Sequence, residues 1–424
     1  MKRLSPYTAL LRRNSAFRRL YVAQLISFAG DWFATVALLG LVLEMTGSAA
    51  AASLVIVLQT GGFALSSPIA GVLADRFDRR RLMVVADFAR VPVALGLVLV
   101  RSPETLWICF VAITLMAIGA AVFEPTSSAA LPNLVEEEEL GDANVLLGSA
   151  WGVMLAVGAG LGGLVAATLG RDAAFAINAA SFGLSGLLIV GIKRPFQRAR
   201  GPLADGTSVV PGKQSASPLE ALAIVLRFAR QSRLLAALLL SKTMFGVGTG
   251  VVLMLAVFGR DVFHGGDVGI GLLYAARGLG ALIGPFGARA IVGVDDRGII
   301  RGIITSVIVV AIAYALFPLS PSIWIAAGLV FVAHLGGGAQ WMLSTYGLQR
   351  AAPDEIRGRV FSFDYGLVTL TIAVSTILAG ILSENFAPAV AVWAMVALIV
   401  VAGAAWGWFT RSLLRPNRPY TPGQ

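Results

Sequence analysis

Long apolar runs, broken by short polar or glycine-rich turns, fill almost the whole chain. Runs of about 17–25 residues are long enough to cross a bilayer as helices. Twelve can be placed, at residues 20–44, 51–73, 83–100, 105–130, 144–168, 174–192, 234–258, 269–291, 302–318, 322–347, 361–383 and 389–410. Their apolar positions are continuous and do not alternate, which predicts helices and argues against the strands of a barrel. An even number of spans places both termini on one side of the membrane. The longest polar interruption, residues 193–233, separates the sixth run from the seventh and contains Pro, Gly, Ser and basic residues. It reads as a linker between an amino-terminal six-helix bundle, residues 1–192, and a carboxy-terminal six-helix bundle with its tail, residues 234–424. The end of the linker, near 219–233, has the pattern of an amphipathic surface helix. The expected fold is therefore all-α, membrane-embedded and built from two related halves.

Composition agrees with lipid as the solvent. Hydrophobic residues make up 57% of the 424 positions and charged residues only 13%, about half the share in soluble proteins. The formal charge is +10, but about 27 of the 33 Lys and Arg fall on the side of the termini, against three opposite (Arg101, Arg171 and Arg260). That asymmetry marks a cytoplasmic face with both termini inside an inner (plasma) membrane, and not a nucleic-acid groove. Lys2, Arg3, Arg12, Arg13, Arg18 and Arg19 precede a full-length span without a small-residue cleavage site, so the first helix is expected to direct insertion. One cysteine, Cys109, and two histidines, His264 and His334, argue against a disulfide framework or a metal centre.

The halves superpose at a single shift of 217 positions, at which Pro68 falls on Pro285, Asp78 on Asp295, Arg80 on Arg297 and Gly141 on Gly358. A shared ungapped shift across two loops points to internal duplication, and duplication in a helical membrane protein points to a transporter with a site between its repeats.

Three loops carry a resemblance. Gly71-Val72-Leu73-Ala74-Asp75-Arg76-Phe77-Asp78-Arg79-Arg80-Arg81 is similar to the signature between helices two and three of the major facilitator superfamily, with Asp78 where that pattern has Gly. Pro353-Asp354-Glu355-Ile356-Arg357-Gly358-Arg359-Val360 resembles its counterpart before helix eleven, and Leu131-Pro132-Asn133-Leu134-Val135 the loop from helix four to five. The combination looks closest to the branch of enterobactin exporters and macrolide-efflux proteins, with lysophospholipid transporters as relatives. The chain departs from the antiporter pattern at Ala159, where proline is usual, and lacks the helix-four arginine before Gly119. The resemblance implies alternating access, with Gly71, Asp75, Arg76, Arg79, Arg80, Arg357 and Arg359 forming the conformational switch. In it Asp75 holds the start of helix eleven, whose free N–H groups attract an anion. The arginines pair with Asp354, Glu355 or the 136–139 acidic run, or only fix topology.

The implied activity is proton-coupled export of a small amphiphilic molecule such as a drug, macrolide or siderophore. Lysophospholipid movement or polar-solute uptake stands second, and a receptor or scaffold without transport third. The expected partners are substrate, protons and membrane lipids, for a monomer without cofactors. No phosphate-binding loop or nucleophile constellation suggests ATP use or enzymatic activity.

Ionisable residues inside apolar runs mark function by default, because burial is costly. Asp31 lies about 16 Å into the first run at 1.5 Å per residue, and Gln24, Ser27, Asp31 and Thr35 form one polar stripe. A carboxylate there should face a central cavity, where it carries a proton, meets a cationic substrate or makes a static interhelical bond. Glu124 precedes Pro125, whose ring frees a backbone carbonyl; it is a second proton or cation site, or a structural partner of Lys242 or Arg90. Lys242 reads first as a snorkelling side chain and second as a site residue. Arg277 either pairs with Asp31 across the cavity or meets an anionic substrate. His334 reads as a buried hydrogen-bonding residue before a proton carrier. Asp87 and Arg90 form a local pair or join the Asp75 network. The spacings Gly148–Gly152, Gly158–Gly162 and Gly280–Gly284 predict close helix packing.

Overall fold

The computed structural model describes residues 6–197, 218–291, 295–352 and 354–414, without the side chains of residues 6, 71, 72, 74, 75, 141, 218–222, 289–291, 354, 355, 357 and 358. Among the described residues there are twelve helices long and apolar enough to cross a membrane. They are α1 (Ser15–Thr46), α2 (Ala49–Arg76), α3 (Arg79–Gly96), α4 (Leu106–Leu134), α5 (Leu140–Thr168), α6 (Arg171–Val190), α7 (Arg233–Val262), α8 (Gly266–Ile291), α9 (Asp296–Leu316), α10 (Ile323–Ala351), α11 (Asp354–Asn385) and α12 (Pro388–Thr410). A short helix, Pro6–Arg13, precedes them, and the linker ends in the helix Pro218–Gln231.

Several helices begin earlier than hydropathy places them, because polar caps extend them past the apolar run. The Asn14 side chain accepts a bond from Phe17 N–H at 3.0 Å and donates to the Leu134 carbonyl at 2.8 Å, which starts α1 and ties it to the end of α4. Asp78 caps α3 by accepting from Arg81 N–H at 2.8 Å. Each such cap satisfies a donor that the helix leaves open.

Within the first half, α1 packs on α5 and α6, α2 on α4, and α3 on α4 and α6. In the second half, α7 packs on α11 and α12, α8 on α10, and α9 on α10 and α12. Adding six to each helix number converts one set into the other, so the duplication read from the loops reappears as packing. The halves meet along two related seams, α5 with α8 and α2 with α11.

Both seams close toward the face opposite the termini. A Cβ on Gly163 would lie 2.4 Å from the Asp267 carbonyl oxygen and 3.0 Å from Gly271 Cα, and one on Gly380 would lie 2.9 Å from Ala50 Cα. Only glycine allows backbones this near. Nearer the termini, a Cβ on Gly148 or Gly287 would meet nothing within 4 Å, and Leu65, Ile69 and Phe286 are exposed. The expectation that Gly148 packs closely is therefore corrected: that position of α5 has no neighbour within reach of a Cβ.

The seventh run was expected as one continuous helix, but α7 breaks after Gly246, resumes at Val251 and finishes in a π-turn over Phe258–Val262. Gly246, Gly248 and Gly250 sit against α11 and α12; Cβ atoms there would lie 2.3 Å from Thr371 Oγ1, 2.2 Å from Ile399 Cγ1 and 2.2 Å from the Ser375 carbonyl oxygen. The residues that permit this packing also weaken the helix.

Candidate functional site

Between the bundles, polar side chains converge from both halves at mid-span. On the amino-terminal side Asp31 of α1 and Glu124 of α4 are half-buried and lie within electrostatic range of Arg90 of α3. The polar stripe on α1 faces the same way: Gln24, Ser27 and Thr35 are buried, and the Thr35 hydroxyl accepts from Gln59 Nε2 at 3.3 Å. Arg90 is paired with Asp87, the two side chains being 3% and 0% exposed. Because α3 begins at Arg79, this pair lies well inside the span and faces Asp31 and Glu124, away from the Asp75 loop. The Arg90 guanidinium stacks on Phe182 at 4.1 Å and lies 5.6 Å from the Phe123 ring. Its stem fills the space beside Gly119, where a Cβ would lie 2.6 Å from Arg90 Cδ. The guanidinium missing from helix four is thus supplied beside it by helix three.

The carboxy-terminal side corrects three expectations. Lys242 does not snorkel: its side chain is 1% exposed and bonds to Asp364, 0% exposed, at 2.5 Å. The ammonium also lies over Trp341 at 4.8 Å and Tyr365 at 5.7 Å. Asp364 on α11 captures the lysine, so Lys242 is not the partner of Glu124. Arg277 does not pair with Asp31; its guanidinium lies 5.7 Å from the Tyr274 ring and 6.0 Å from the Trp151 ring. His334 is buried, with Nε2 bonded to the Tyr314 hydroxyl at 2.7 Å.

The glycines singled out on α5 and α8 line helix contacts. A Cβ on Gly158 would lie 3.1 Å from Trp32 Cβ, and one on Gly162 would lie 2.8 Å from Phe33 Cα. Gly280 and Gly284 press on α10, where added Cβ atoms would lie 2.3 Å from the Phe331 carbonyl oxygen and 2.2 Å from that of Leu335.

At the face opposite the termini, ion pairs join the bundles. Arg171 of α6 donates to Asp267 of α8 through Nε at 2.9 Å and a terminal nitrogen at 3.2 Å, and to Glu44 of α1 at 2.7 Å. Arg260, at the end of α7, lies 3.9 Å from Glu44. On the other seam Glu384 of α11 accepts from the Ser48 hydroxyl and from Ala50 N–H. A polar cavity of about 840 Å³ opens beside this network, between Arg101, Asp172, Arg260 and His264. Sequence reasoning missed this cluster. Its signal was present in the few charged residues of an otherwise charge-poor face, but it had been used only to orient the chain.

At the face of the termini, the side chains of Gly71, Asp75 and Arg357 lie outside the described residues. Arg76 is exposed and Arg359 half-buried. Arg79 donates to the Ala129 carbonyl at 2.7 Å, and Arg80 to the Val190 carbonyl, so these two hold the ends of α4 and α6 in their own bundle. The acidic run is occupied by other cations: Glu139 pairs with Arg13 at 3.0 Å and Glu136 with Arg194 at 2.6 Å.

Comparison with known proteins agrees with this architecture. The chain matches the family described as transmembrane secretion effector over residues 4–414. Macrolide efflux protein A of Streptococcus pyogenes is 24% identical over 374 residues, 87% of this chain and 89% of that protein. A putative bacilysin exporter of Bacillus amyloliquefaciens is 27% identical over 407 residues, 92% of this chain and 93% of that protein. Among solved structures, a bacterial homologue of the human lysosomal transporter Spinster, inward-facing and unoccupied, superposes with a TM-score of 0.71 at 16% identity, covering 99% of this chain and all of that one.

Proposed function

The chain belongs to the transmembrane secretion effector family of the major facilitator superfamily, transporters and not enzymes, and on that premise we propose that it exports a small amphiphilic molecule in exchange for protons. The observation that carries this reading is the pair Asp31 and Glu124, two carboxylates within range of each other's charge at mid-span, beside the buried Arg90. Two half-buried carboxylates beside a guanidinium already bonded to Asp87 have protonation states of similar energy, which a proton carrier requires. Relatives named for efflux of macrolides and export of bacilysin support the direction.

On this reading the face bearing the termini is cytoplasmic, in keeping with its excess of Lys and Arg, and the structure is the inward-open state. Substrate enters the hollow from the cytoplasm or the inner leaflet. The Arg171 network and the Gly163–Gly271 contact then part as the bundles rock, and the hollow opens outward. Proton entry at Asp31 or Glu124 accompanies the return.

Radiolabelled erythromycin uptake into inverted proteoliposomes tests the proposal. Wild-type flux is expected to require an imposed pH gradient, and Asp31→Asn or Glu124→Gln to lose that dependence. Flux that persists without a gradient, or full gradient-driven activity in both variants, overturns proton coupling through this pair. Gradient-independent movement of lysophospholipid, with no erythromycin flux, would favour lipid as the substrate.

A further inference from the structure

Among the described residues three cations lie deep within the spans, and two are neutralised: Arg90 by Asp87 and Lys242 by Asp364. Arg277 has no ion-pair or hydrogen-bond partner among the described residues, and its buried Nε is left without an acceptor. It sits at the middle of α8, on the α5–α8 seam. Its guanidinium lies 6.0 Å from the Trp151 ring and 5.7 Å from the Tyr274 ring. Trp32 of α1 joins them, with ring centroids 6.1 Å from both Trp151 and Tyr274. Trp151 is 44% exposed and Arg277 half-buried, so the cluster borders open space. One bundle supplies Trp32 and Trp151, and the other supplies Tyr274 and Arg277.

An uncompensated guanidinium away from bulk water is costly to maintain. An arginine fork matches a carboxylate in two parallel bonds, and aromatic walls accept a flat or apolar body. We propose that this cluster is the recognition point for an amphiphile carrying a carboxylate, whose anionic group is bound by Arg277 and whose apolar body lies against Trp32 and Trp151. The assignment rests on the transport reading above and adds the charge of the substrate. Behind it, the Tyr314 hydroxyl and His334 Nε2 are hydrogen-bonded to each other at 2.7 Å.

The test uses the full chain in maltoside micelles and two fluorescent probes of one body, dansylglycine and its uncharged amide. The carboxylate is expected to bind about tenfold more tightly, the effect of a charge-assisted hydrogen bond. Arg277→Gln should bring the two probes to parity without lowering the melting temperature, since it removes an uncompensated charge, and Arg277→Lys should keep part of the preference. Equal binding of the probes by the wild type overturns the inference without any variant, as does a preference that survives in Arg277→Gln. Displacement of dansylglycine by stoichiometric phosphatidylglycerol would assign the anion site to lipid and overturn the soluble substrate. Binding preference without proton-driven flux counts against the transport reading alone, and proton-driven flux without the preference counts against this inference alone.

Discussion

Replacing Asp267 by Asn removes the carboxylate that joins α8 to Arg171 of the other bundle. The wild-type pair makes two N–H···O contacts, and its side chains are 18% exposed on Arg171 and 7% on Asp267. Hydrogen bonds to charged groups contribute about 1.5–3 kcal/mol when buried, and partial access to water lowers this to about 1–2 kcal/mol here. The contact exists only while the outer seam is closed, so its loss enters the equilibrium between states in full. The ratio of closed to open should therefore fall by roughly 5–30-fold. Nitroxides at Leu169→Cys and Val262→Cys, exposed at the outer ends of α5 and α7, would report the separation once the single native Cys109 is replaced by Ala. Pulsed dipolar spectra of the Asp267→Asn protein should show a longer distance absent or minor in the parent. Adding Arg171→Met should lengthen it little further, because both changes remove the same bond. An unchanged distance distribution, or fully additive effects of the two substitutions, would refute the latch.

Other perturbations test the interior of each bundle. Lys242→Met strands the Asp364 carboxylate, 0% exposed, and should cost about 3–5 kcal/mol in detergent melts; the double change Lys242→Met with Asp364→Leu should recover most of that loss, and a double variant as unstable as the single one would show that charge is not the cause. Gly119→Val drives a side chain to within 2.6 Å of Arg90 Cδ, so it should lower stability by about 1–3 kcal/mol and abolish gradient-dependent flux. Gly148→Ala, with no neighbour in reach, should leave both measurements unchanged.

The fold was legible because lipid imposes a simple rule on sequence: each span must be apolar for about 20 residues, and each turn must not be. The duplicated loops showed the two halves for the same reason, since turns at matching places keep matching residues such as Pro68 and Pro285. The site was only half legible. Depth along a helix can be counted, so Asp31 and Arg277 could be placed at mid-span from sequence, and Glu124 about two turns from the end of its helix. Partners cannot be counted, because they come from helices distant in the chain. Asp364 lies 122 residues from the lysine it neutralises, in a run read as uniformly apolar, and so Lys242 was read as snorkelling. The Asp87–Arg90 pair was legible because its spacing is local, but its depth was misread when the start of α3 was placed four residues late. Asp267 had no signal beyond its position near a span end, where carboxylates are ordinary.

Among the described residues, ion pairs are arranged differently at the two ends of the molecule. Near the termini, the pairs Arg13–Glu139, Arg194–Glu136 and Arg350–Asp296 each join residues of one half of the chain. At the opposite end, Arg171–Asp267 and Arg260–Glu44 join one half to the other. For bundles that rock as rigid bodies, pairs of the first kind persist in both states and cancel from the difference in free energy. Only pairs of the second kind bias the equilibrium, since a contact shifts populations solely by what it contributes to one state and not the other. Among the described residues, Arg171 is bonded to both bundles at once. The same helix, α8, carries Asp267 and, about 15 Å further along at 1.5 Å per residue, the unpaired Arg277. A group bound at Arg277 and the bond at Asp267 therefore act on one stiff element. That places the proposed substrate contact in mechanical series with the seam that must part to release it.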